Sequence, residues 1–217
     1  MNRLVSLPKG DIAAAFITAG DPNAMNRDNQ MADMLKTGAN MLVVAIPFSD
    51  PTAESPEVQT ASIRALECGI TTDDVFKMID DLRHRSDVPI VLYSYMNPVF
   101  YYGYEAFFRA CEAAGVDGII LSDLPHEEMD EVTHIASGHG IVVIPVVATT
   151  SGERIPMLLS GAEGFVYAQG FADTDVLQDS MRAIRACCDL PVIASGYGDA
   201  VSKIADGILV TYTGTMV

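Results

Sequence analysis

Positive charge is scarce in this chain: 13 Lys+Arg stand against 29 Asp+Glu, a formal net charge of −16 over 217 residues. Nucleic acids and anionic membrane surfaces would be repelled by such a field, so neither is expected as a partner. An anionic small molecule has to be held by local donors against the same field. Long apolar runs are missing as well; none approaches the ~20 residues of a membrane span. Met1 is followed by Arg3 and Lys9 rather than by an apolar stretch, so no secretory leader is expected. Cys68, Cys111, Cys187 and Cys188 show no Cys-x-x-Cys or Cys/His spacing. They read as reduced thiols of a cytoplasmic protein, with no metal and no other cofactor expected. His84, His126, His134 and His139 fall on or beside helical stretches and read as surface residues, with no His-based nucleophilic triad.

What the chain has is a rhythm. Apolar, β-rich runs occupy 13–18, 41–46, 89–95, 118–122, 141–147, 164–168, 191–194 and 207–211. They are apolar on both faces rather than alternating, as strands of a buried parallel sheet are. Amphipathic segments lie between them. Residues 72–85 put Val75, Ile79 and Leu82 on one face and Asp73, Asp74, Asp80 and Asp81 on the other, and 56–68, 104–114 and 176–188 also read as helices. Eight such units predict an α/β chain folded as a (βα)₈ TIM barrel, one domain over residues 1–217. The final quarter is reduced. Only residues 199–206 separate the last two runs and six residues follow the last, so no eighth helix is expected and an apolar flank near 207–217 would favour self-association.

Active sites of such barrels lie at the C-terminal ends of the strands. The groups that follow the runs there are Asp21, the segment Pro47-Phe-Ser-Asp50, Glu54, Tyr93-Ser-Tyr95, Ser122-Asp123, Tyr167-Ala-Gln169, the pair Gly196 and Gly198, and Asp199. Each also has an ordinary reading. Asp21 before Pro22 is an N-cap, Asp50-Pro51 and Asp123-Leu-Pro125 are turns, and Glu54 favours the start of the next helix through its dipole. Gly196 and Gly198 are either turn glycines or backbone donors to a phosphate at a helix N-terminus.

The same segments resemble the alpha subunit of tryptophan synthase. Phe16-Ile-Thr-Ala-Gly-Asp-Pro22, Ile46-Pro-Phe-Ser-Asp-Pro51, residues 59–69, Tyr95-Met-Asn-Pro-Val99 and residues 115–125 carry the likeness. The resemblance implies retro-aldol cleavage of indole-3-glycerol phosphate to indole and glyceraldehyde 3-phosphate, a lyase step of tryptophan biosynthesis. Two family carboxylates carry that step. A strand glutamate moves protons at the glycerol hydroxyl and C3, and a loop aspartate hydrogen-bonds the indole nitrogen. By the resemblance the first position is Val43 and the second is Glu54, followed by Ser55 in place of a glycine. The strand acid is therefore missing, which implies impaired catalysis. The family's long loop after the sixth strand and its helix before the first strand are missing too. Phe16, Tyr95, Ile120 and Tyr167 match positions that line the indole pocket. Pro47, Phe48 and Asp50 match the loop that touches the beta subunit, the family's partner. Three readings stay open: an impaired lyase, a non-catalytic partner or regulator of a beta subunit, and a barrel enzyme of changed specificity.

Overall fold

In the computed structural model, which describes residues 2–21, 27–170, 174–195, 201 and 203–212, the eight apolar runs are parallel strands. They are β1 (Ile12–Thr18), β2 (Met41–Ala45), β3 (Ile90–Ser94), β4 (Gly118–Leu121), β5 (Val142–Val143), β6 (Val146–Ala148), β7 (Val166–Gln169), β8 (Val192–Ser195) and β9 (Gly207–Tyr212). The sheet order is β5-β4-β3-β2-β1-β9-β8-β7-β6. The fifth run is split because Pro145 has no N–H to give a ladder. Its halves still close the ring. Ile144 N donates to Ile119 O of β4 at 2.8 Å, and Tyr167 N of β7 donates to Pro145 O at 3.0 Å. The opposite seam, β1 with β9, runs in register from Ile12–Gly207 to Ile17–Tyr212. The expected TIM barrel is what forms.

Strand alternation divides the core in two. Inward-facing Phe16, Val43, Tyr93, Ile120, Tyr167, Ile193 and Leu209 fill the barrel. Outward-facing Ile17, Val44, Leu92 and Ile119 pack under the helices. Both faces are thus covered, which is why the runs carry no polar alternation.

The helices are α1 (Arg27–Lys36), α2 (Pro56–Glu67), α3 (Thr72–Arg83), α4 (Met96–Tyr102), α5 (Tyr104–Ala114), α6 (Met129–Gly138), α7 (Ile155–Leu158) and α8 (Thr174–Cys187). α3 starts at a reciprocal cap: Thr71 Oγ1 accepts from Asp74 N, and Asp74 Oδ2 accepts from Thr71 N. It buries Val75, Phe76, Met78, Ile79 and Leu82. α8 buries Leu177, Met181 and Ile184 against β7 and β8. α4 stands where the sequence reading assigns no helix; Pro98 is tolerated because a proline in a helix's first turn gives up an N–H that has no partner there anyway.

Two histidines are less exposed than the sequence suggests. His139 lies between Glu112 (2.7 Å) and Glu105 (3.2 Å) of α5, and these carboxylates hold its imidazole above the usual range. His126 is half-buried. Below the barrel, residues 2–11 form one 3₁₀ turn, Arg3–Ser6, and no α-helix. Leu4 plugs the barrel floor, and Arg3 joins Arg83 on the buried Asp117. Residues 196–200 and 213–217, which include Gly196 and Gly198 and most of the reduced C-terminal region, lie outside the described residues.

Candidate active site

The upper end of the barrel is aromatic. Phe16 and Tyr93 meet edge to face with ring centroids 5.3 Å apart, and Tyr95 meets Tyr93 in the same way at 6.4 Å. Ile120 and Tyr167 belong to the same inner cluster. The four positions expected to line a pocket are therefore brought together. Val43 sits among them, 1% exposed, in register between Phe16 and Val91. The floor of the mouth is apolar at that point and offers no proton-transfer group.

Glu54 comes to this cluster from above. Its loop leaves β2 at Ile46, whose N–H still donates to Tyr93 O at 2.9 Å. The turn that follows is tied down twice: Ala53 N donates to Tyr95 Oη at 3.0 Å, and Gln59 Nε2 donates to Glu54 O at 2.9 Å. These ties aim the Glu54 carboxyl at Tyr93, whose hydroxyl donates to Glu54 Oε1. Ser122 Oγ of the β4 loop lies 2.8 Å from the same Tyr93 oxygen. The phenol has one proton and gives it to Glu54, so Ser122 is the donor in the second bond. Gln169 Nε2, at the end of β7, lies 3.5 Å from Tyr93 Oη and from Ala53 O. Ser195 Oγ of β8 accepts from Gly170 N at 3.1 Å.

The electrostatics follow from burial. The Glu54 carboxyl is pushed above the usual carboxylate range because its charged form is desolvated, and the Tyr93 hydroxyl offsets part of that rise. The Tyr93 phenol is pushed up by burial and by the neighbouring Glu54 charge, so it stays a donor. Tyr167 is pushed up by burial. Glu54 is thus a carboxyl group that binds a proton more readily than a solvated one, at the edge of a buried aromatic cluster. That combination suits proton exchange with a weakly acidic ring N–H or hydroxyl.

The other candidate carboxylates are engaged elsewhere. Asp21 accepts a fork from Arg64 of α2, Nε at 2.6 Å and Nη2 at 2.8 Å. Asp123 Oδ1 accepts from Met96 N at the start of α4, 2.7 Å, the structural reading of that turn. Asp199 lies outside the described residues. Phe48 stacks on Tyr95 at 5.1 Å and is half-buried, whereas Asp50 is exposed and accepts from Ser49 Oγ at 2.6 Å. Tyr93, Ser122 and Gln169 lie in the segments that follow the third, fourth and sixth runs, but sequence reasoning gives them no role. The one signal was Tyr93 itself, a hydroxyl at an inward position of an otherwise aliphatic strand, which must find a partner when buried.

The model of the family described as tryptophan synthase alpha chain matches residues 8–211, the whole barrel mouth included. The chain belongs to the tryptophan synthase alpha chain family. It is 38% identical over 212 residues to the tryptophan synthase alpha chain of Opitutus terrae, covering 90% of this chain and 79% of that one. It is 39% identical over 211 residues to that of Thioalkalivibrio sulfidiphilus, again covering 90% and 79%. Among solved structures, a tryptophan synthase alpha chain from Legionella pneumophila superposes with a TM-score of 0.87 at 32% identity, covering 98% of this chain and 86% of that one. A chain of the tryptophan synthase complex from Pyrococcus furiosus gives 0.86 at 30% identity, covering 94% and 88%. The alpha family's barrel is therefore the frame that carries Glu54, Tyr93 and Val43.

Proposed function

We propose that this chain is a lyase of the alpha family, acting in the cytoplasm on indole-3-glycerol phosphate, with its proton chemistry reduced to what Glu54 can do. The observation that carries this reading is the Glu54 carboxyl held by Tyr93 at the rim of an aromatic cluster that packs around Val43. Cleavage breaks the bond between indole C3 and the glycerol chain. The glycerol hydroxyl loses its proton, C3 gains one, and the released chain becomes an aldehyde. Glu54 would accept a hydrogen bond from the ring nitrogen and favour the tautomer that breaks. Val43 leaves the hydroxyl-to-C3 transfer without a side chain, a deficit of roughly two to four orders of magnitude in rate. Phe16, Tyr95, Ile120 and Tyr167 would hold the ring. Gly196 and Gly198 are proposed for the phosphate.

A second reading is favoured by Asp50, which is exposed on a loop anchored through Phe48 on Tyr95. In this reading the chain binds a tryptophan synthase beta subunit through Pro47, Phe48 and Asp50 and adjusts its activity, whatever its own turnover.

One assay separates the two. Indole release from indole-3-glycerol phosphate is measured with and without a beta subunit. Wild type is expected to fall ~10²–10⁴-fold below an ordinary alpha subunit, and the double substitution Val43→Glu, Glu54→Asp to raise it. Release at the ordinary rate would overturn the Val43 argument. A beta subunit whose activity changes with wild type but less with Phe48→Ala or Asp50→Ala favours the partner reading; no change removes it.

A further inference from the structure

Beside the Glu54–Tyr93 pair, between the β4 loop and the top of β6, lies a cavity of about 360 Å³. Its wall nearest the barrel axis includes Ser122 and Gln169; its far wall carries His126, Ser151 and Arg154. We propose that this cavity binds a small hydroxyl-bearing compound that ends in a phosphate or carboxylate, with the anionic end on Arg154 and the hydroxyls facing His126, Ser122 and Gln169.

Three observations support this. First, Arg154 already takes an oxyanion: its Nη2 lies 2.6 Å from Glu127 Oε1, with both side chains more than half exposed. An exposed pair of that kind contributes little, so a ligand oxyanion displaces Glu127 at small cost, and a guanidinium binds phosphate or carboxylate in the stronger two-pronged geometry. Second, His126 Nδ1 is buried with no partner within the protein. Buried polar atoms are ordinarily paired, so this ring in the cavity wall has a hydrogen bond still to make, and a turn of the ring toward the cavity would let an occupant supply it. Third, the chain's net charge of −16 works against anions generally, so a local cation beside a cavity decides where one settles. The cavity wall also shares a hydrogen-bond chain with the mouth. Ser122 Oγ, on its wall, is 2.8 Å from Tyr93 Oη, which donates to Glu54. If the reading of Glu54 as the acid–base group holds, an anion on Arg154 places the rest of the ligand toward that group from the side.

The test is a titration followed by NMR of the Arg154 Nε–H and the Gln169 side-chain amide. Glycerol 3-phosphate, glycerate and inorganic phosphate are added separately, with sodium chloride at matched ionic strength as control. Glycerol 3-phosphate or glycerate should give saturable shifts at both groups, and which of the two binds tighter identifies the anion as phosphate or carboxylate. Arg154→Gln, a substitution at an exposed side chain, should weaken binding at least tenfold. Glu127→Gln should tighten it several-fold by releasing Arg154. Shifts no larger than those from chloride, or saturable binding untouched by Arg154→Gln, would overturn the proposal. Binding without indole release keeps this site and removes the assigned reaction; indole release without binding here does the reverse.

Discussion

Burial sets the ionisation of Glu54 against the Tyr93 hydroxyl, and burial is the larger effect. Two outcomes follow at this residue. Tyr93→Phe removes the bond that lowers the carboxyl's pKa, so Glu54 should titrate higher still, as read by carbon NMR of its side-chain carboxyl; an unchanged or lower value would mean that Tyr93 does not donate to it. Glu54 also holds its proton to higher pH in the native state than in the unfolded chain. Stability contributed by the neutral form is therefore present at low pH and lost as pH rises through the native pKa. Glu54→Gln should stabilise the chain against urea at neutral pH, and the gain should vanish below about pH 3, where both states are protonated. Glu54 itself is legible in the sequence, because it follows a strand and falls within the family likeness. Its partners are less so. Ser122 and Gln169 are single polar residues after apolar runs, and only the closed barrel brings their strands to the same oxygen as Tyr93.

The elements show which local signals decide. α3 carries every one: a reciprocal cap at Thr71 and Asp74, acids in its first turn, an arginine in its last, and an apolar stripe. Thr71→Ala should cost about 1 kcal/mol in urea denaturation by orphaning the Asp74 N–H. A loss near zero would mean that the stripe alone sets the helix. The strands are equally readable, since a parallel sheet buried on both faces needs apolar residues at consecutive positions. α4 is not readable, because Asn97-Pro98 carries the chemistry of a turn. Tertiary contact overrides it: Val99 is fully buried in the outer core, and Asp123 caps the helix from another loop. The break in the fifth run has its signal in Pro145, but a proline alone does not reveal that the two halves pair with different neighbours.

At the scale of the whole molecule, the barrel depends on β1 and β9 approaching closely. Gly207 makes this possible. A Cβ at that position would lie 2.5 Å from Ile12 Cβ and 2.7 Å from the Ile12 carbonyl oxygen. The oxygen belongs to the backbone, so a side chain there has to push the two strands apart. Gly207→Ala is expected to cost ~1–3 kcal/mol, the ordinary penalty of overpacking, seen as a lower urea midpoint. A neutral outcome would mean that the seam has slack.

Amide exchange should read the Ile144-Pro145 link in hours rather than in ångströms. The β1–β9 seam has six paired positions, whereas β4 and β5 share two. Opening that begins at the proline leaves β1 to β5 on one side and β6 to β9 on the other, still joined across β1–β9. Protection should therefore be greatest at Ala14–Leu209 and decline in both directions toward Val143 and Val146, whereas a uniform ring would exchange evenly. At rest the sheet has no edges, but in its fluctuations it is a curved ribbon whose two ends meet at a proline.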